Sequence, residues 1–93
     1  MRVKNMRELG RNESLSIRKI ERLYYLVTNQ GVYEANEIGA TIVNAVGRDL
    51  SIDDMCLRIS QKYSHNNLEE IKNDIEKYIE FLLTEGILVS TNG

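Results

Sequence analysis

The sequence predicts an α+β domain in which three short antiparallel strands precede three helices. Three observations carry that prediction. Residues 22–28, RLYYLVT, and 31–35, GVYEA, are rich in the β-branched and aromatic side chains that suit a pleated surface. At Asn36 the spacing of apolar residues changes to the threes and fours of a helix. Two more helix starts follow, at Ser51 and at Asn66 or Asn67, with acidic residues in their first turns.

Each element follows in order. Residues 1–13 are polar and charged, contain Gly10 and read as an irregular N-terminal segment ahead of a single domain over 14–93. Residues 14–21, SLSIRKIE, set Leu15, Ile17 and Lys19 against Ser16, Arg18 and Ile20, a pattern for a strand with one wetter face. Ile17, Ile20, Tyr24 and Val27 also fit helical spacing, so periodicity alone leaves strand and helix open. The stretch Asn29-Gln30-Gly31 decides between them, because a short loop ending in Gly between two β-prone runs is a hairpin turn. Residues 31–35 are then the third strand of a meander.

Asn36 supplies an N-cap and Glu37 a negative charge at the positive helix end. Ile38, Ile42, Ala45 and Val46 share the face of this first helix, and Gly47 stops it. The second helix opens at Ser51, turns Ile52, Met55, Cys56 and Ile59 inward and ends near Tyr63. The third spans residues 68–85 with a stripe of Leu68, Ile71, Ile75, Tyr78, Ile79, Leu82 and Leu83. Gly86 ends it, and Ile87, Leu88 and Val89 pack back or add a short extended piece. Three helices on a small antiparallel sheet make a winged-helix-like arrangement.

Composition narrows the function. Apolar residues make up 42% and charged residues 28% of 93 residues, ordinary for one globular domain. No apolar run approaches the roughly 20 residues of a membrane span, and MRVKNMRELGR lacks the apolar core of a signal peptide. A cytoplasmic location is expected, with no membrane partner. Charge is uneven, +4 over residues 1–25 and −6 over residues 26–93. The basic end reads chiefly as a solvated tail.

No catalytic constellation is legible, and the chain reads as a non-enzyme without a metal or cofactor. The single His65 falls in a polar loop, and the single Cys56 falls on the inward face of an amphipathic helix, where it acts as a small hydrophobe. The pairs Asp53–Asp54 and Glu69–Glu70 sit in first helical turns and complement the helix dipole. Nucleic-acid binding, which a winged-helix arrangement raises, is opposed by charge. The third helix carries six acids and two lysines, and a reading helix needs the reverse. The third strand offers a sheet edge. If its free side faces the third helix, the two walls form a groove suited to an extended peptide. If the helix closes over the sheet, there is no groove, and the pattern alone leaves both open.

Three segments together resemble the PqqD-like proteins, also called RiPP recognition elements. VYEANEIGATIVNAVG fits the family pattern through Tyr33, Asn36, Gly39, Ala40, Ile42 and Gly47. LSIDDM, residues 50–55, fits a second part. DIEKYIEFLLTEGIL, residues 74–88, fits a third through Asp74, Ile75, Tyr78, Ile79, Leu82, Gly86, Ile87 and Leu88. Ala35 stands where the family usually has Leu, Val43 where Trp is frequent and Ala45 where Leu is frequent, changes expected to widen a pocket or loosen the first helix.

The resemblance implies a function. Such proteins bind the leader of a ribosomally made precursor peptide as an added strand. They deliver it to a modifying enzyme, whether a radical SAM protein, a cyclase or cyclodehydratase, or a leader protease. The implied peptide contacts here are Val32, Tyr33, Glu34 and Ala35 on the strand wall, and Ile71, Asp74, Ile75, Tyr78 and Phe81 on the helix wall. Phe81 sits just beyond the core stripe, either partly exposed or in the groove. The rival classes are a winged-helix nucleic-acid binder and a scaffold that forms a homodimer through its N-terminal strand.

Overall fold

The computed structural model describes residues 3–64 and 66–91. The expected α+β order is present. Strands β2 (Ser16–Ile20), β3 (Leu23–Thr28) and β4 (Gly31–Ala35) form an antiparallel meander in the order β2-β3-β4. Helices α1 (Glu37–Asn44), α2 (Ile52–Tyr63) and α3 (Leu68–Thr84) follow.

Each helix begins where a side chain can take up an orphaned backbone N–H. Asn36 accepts from Gly39 N at 2.8 Å, Ser51 from Asp54 N at 3.0 Å and Asn67 from Glu70 N at 3.1 Å. At the far end of α3, Ile87 N donates to Leu82 O at 2.9 Å and Gly86 N to Leu83 O at 3.2 Å. These two bonds make a Schellman close, and Gly86 meets its demand for a left-handed residue with φ +72°. His65 lies outside the described residues.

The N-terminal segment departs from expectation. Within residues 1–13, read from sequence as irregular, Met6–Glu8 forms a 3-10 turn and Leu9–Arg11 forms strand β1. β1 pairs antiparallel with β5 (Leu88–Ser90), in register Leu9↔Ser90, Gly10↔Val89 and Arg11↔Leu88. Met6 N donates to Leu50 O at 2.8 Å, and Gly47 and Ile52 donate to Met6 O and Lys4 O, both at 2.9 Å. Met6 and Leu9 are buried in the core. A three-residue strand whose partner lies at the other end of the chain leaves no local periodicity to read.

The core is the α2–α3 hairpin with α1 and the β1–β5 ribbon around it. Its fully buried side chains include Leu26, Ile42, Val43, Met55, Ile75 and Ile79. The expected inward residues of α2, Ile52, Met55, Cys56 and Ile59, are all buried. On α3 the stripe narrows to Ile71, Ile75, Ile79 and Leu82, while Leu68 in the first turn is 43% exposed. The meander places Leu26, Ala35 and Thr28 in the interior and leaves much of its other face open, with Ile20 and Val32 exposed. The β2–β3 connection is the two-residue turn Glu21-Arg22, with Glu21 at φ +59°.

Candidate functional site

β4 is an edge strand. It pairs with β3 from Tyr24↔Ala35 to Thr28↔Gly31, and among the described residues no strand pairs with its other side. Its outer N–H and C=O groups are therefore available to another chain. Tyr33 meets Phe81 near the end of α3, and Ala35 shares a cavity with Ile71 near its beginning, so α3 runs antiparallel to β4.

Between these walls lies a cavity of about 380 Å³, toward the small end of the range that ligand sites occupy. Glu34 and Ala35 line it from β4, and Ile71, Asp74, Ile75 and Tyr78 from α3. Six of the nine residues expected at the site thus border one space. The other three, Val32, Tyr33 and Phe81, lie outside it. Tyr33 and Phe81 extend the same groove, because their rings meet edge-on at 6.2 Å and Phe81 stacks on Tyr78 at 6.2 Å and 24°. Phe81 is 43% exposed, as the first of the two readings of it expects, and its ring lies against those of Tyr33 and Tyr78. Val32 is 64% exposed and, by strand alternation, turns to the opposite face of the sheet from Tyr33.

The sequence reading missed the groove's back wall. Asn36, Ile38, Gly39 and Ile42 of the α1 region and Ile59 and Tyr63 of α2 also line the cavity. Gly39 carried a signal: a Gly inside a short helix weakens it unless a close approach requires one. Of the three small residues noted in the sequence, only Ala35 borders the cavity; Val43 and Ala45 are buried elsewhere in the core.

The polar groups are few. Tyr33 Oη donates to Glu85 Oε2 at 3.1 Å, and this bond to a carboxylate holds the phenol above its usual range. Burial raises the Tyr78 phenol as well. At the end of α2, Lys62 Nζ lies 3.2 Å from Glu37 Oε1, which lowers the Glu37 carboxyl and raises the Lys62 ammonium. Cys56 is buried, and burial pushes its thiol up, away from the thiolate a nucleophile needs. Among the described residues no group of three or more His, Cys, Asp or Glu could hold a metal ion. Among them, too, no helix is long and apolar enough to cross a membrane. An apolar space, a row of unpaired backbone groups and a few carboxylates can hold an extended chain.

The family model described as Coenzyme PQQ synthesis protein D (PqqD) matches residues 21–88. The chain belongs to the PqqD family. That match runs from the β2–β3 turn to the first residue of β5, so it takes in both walls of the groove. By its description, the family belongs to the synthesis of the coenzyme PQQ. No curated protein and no solved structure matches the chain.

Proposed function

We propose that this PqqD-family chain captures the leader of a ribosomally synthesised precursor peptide and presents it to a modifying enzyme. The leader adds as a strand beside β4, with Val32, Tyr33, Glu34 and Ala35 on one side and Ile71, Asp74, Ile75, Tyr78 and Phe81 on the other. The observation that carries this reading is the unpaired edge of β4 facing α3 across an apolar cavity of about 380 Å³. Backbone pairing supplies a generic attraction, and side chains entering the cavity supply selection. Two or three leader side chains provide most of the energy, and ordering a flexible leader offsets part of it. The expected affinity is micromolar to nanomolar, or about −8 to −12 kcal/mol.

The partner enzyme belongs to one of three classes: a radical SAM protein, a cyclase or cyclodehydratase, or a leader protease. A cytoplasmic setting accords with that role. Nothing favours nucleic acid, since α3 and its C-cap, residues 68–85, carry six acids and two lysines.

The test is a titration of the isotope-labelled chain with the leader of a short precursor encoded beside it. Backbone amide shifts are expected to cluster at residues 31–35 and 70–81. Shifts confined to residues 1–20 would contradict the groove, and steeply salt-dependent binding of duplex DNA would favour the nucleic-acid alternative.

A further inference from the structure

The groove has a charge as well as a shape. Glu34 lines it from β4 and Asp74 from α3, and no lysine or arginine lines it. Both acids are exposed, and among the described residues neither has an ion pair or a side-chain hydrogen bond. The nearby lysines are turned to other acids: Lys72 lies 3.1 Å from Asp53, and Lys62 lies 3.2 Å from Glu37. Lys77, also on α3, is exposed and does not border the cavity.

The pleat of β4 assigns these charges to positions on an incoming strand. Ala35 is buried and Tyr33 meets Phe81, so these two face the helices, while Val32 and Glu34 face the other way. An added strand repeats that alternation. Its side chains level with Tyr33 and Ala35 enter the apolar space, and the side chain between them lies beside Glu34. Across the sheet, Glu34 pairs with Tyr25, and Tyr25 with Arg18. Arg18 therefore stands two strands away, about 10 Å by strand spacing, too far to neutralise Glu34 directly. The position beside Glu34 on its open side suits a cation, since opposite charges on neighbouring strands attract and like charges repel. Asp74, on the helix wall, stands on the other side of the added strand, so the preference at this position is set by Glu34.

We infer that the segment this groove selects is basic and alternating: an apolar residue, then Lys or Arg, then a second apolar residue. This rests on the peptide-binding reading above and specifies its ligand. The test uses three synthetic heptapeptides with one alternating leucine frame and Lys, Gln or Glu at the intervening positions, titrated into the full labelled chain. The Lys peptide is expected to bind about tenfold tighter than the Glu peptide, with Gln between, the sum of one attraction gained and one repulsion avoided. Its shifts should map to residues 31–35 and 71–81. The preference should shrink at high salt, vanish in Glu34→Gln and persist in Asp74→Asn. Equal or tighter binding of the Glu peptide at those same residues overturns the charge assignment and leaves the groove standing. Lys-peptide shifts spread over the outer acids of α3, such as Glu69, Glu76 and Glu80, overturn it as well. Absence of groove shifts with all three peptides overturns both.

Discussion

The Tyr78 ring lies against the backbone of Gly39, so close that a β-carbon at position 39 would stand 2.6 Å from the Tyr78 hydroxyl oxygen and 2.9 Å from the ring carbon bearing it. Gly39 also donates its N–H to the Asn36 cap at 2.8 Å. One glycine thus closes the first turn of α1 and lets α3's tyrosine into the groove.

Substituting Gly39→Ala should drive the Tyr78 ring outward and disturb its stack on Phe81. The lost contact is offset by the better helix propensity of Ala, about 1 kcal/mol, so stability should change by less than about 1 kcal/mol. In a Tyr78→Ala background, the same Gly39→Ala change should stabilise by about 0.5–1 kcal/mol. A urea-denaturation double-mutant cycle measures the coupling. Equal effects in both backgrounds would mean that the ring and the glycine do not interact.

Ala35→Leu should fill part of the cavity. Because Ala35 is buried yet borders open space, the added methyl groups should raise stability by about 0.5–2 kcal/mol, as cavity-filling changes commonly do. The same change should weaken capture of a leader peptide. Thermal unfolding and peptide titration of one variant check both directions.

Met6→Ala should cost about 2–5 kcal/mol, the usual range for truncating a buried Met. Met6 is 0% exposed, and its backbone joins the segment between α1 and α2. Urea unfolding reads the cost directly. A loss below 0.5 kcal/mol, which is what a loose tail would give, would show that residues 6–11 are not part of the folded unit.

Stability should fall on the alkaline side. Burial, reinforced by the Asp53 carboxylate, raises the Cys56 thiol in the folded chain. The folded state therefore keeps a proton that the unfolded state releases near pH 8.5. The contribution is complete below that pH and declines as pH rises through and above it. Burial of Tyr78 extends the decline above about pH 10. Urea midpoints from pH 7 to 10.5 should drop less steeply in Cys56→Ala than in the parent. The parent's thiol should react with alkylating reagents only on unfolding.

What the sequence determined by itself is local. Residues 31–35 form a strand, and helices begin at Asn36, at Ser51 and at one of Asn66 and Asn67, because a cap needs only a side-chain oxygen two or three residues from a free N–H; the structure chose Asn67. The buried residues Ile71, Ile75, Ile79 and Leu82 were readable because helical spacing puts them on one face. The turn at Glu21 was not readable, since it carries no Gly, Asn or Asp to mark it. Nor was the pairing of Leu9–Arg11 with Leu88–Ser90, which joins the two ends of the chain. The tertiary structure alone decided that α3 stands off from β4, with Ile42, Ile59 and Tyr63 closing the space behind. That separation depends on how three helices and a sheet pack together, a sum of contacts between residues far apart in the chain, which no local spacing encodes.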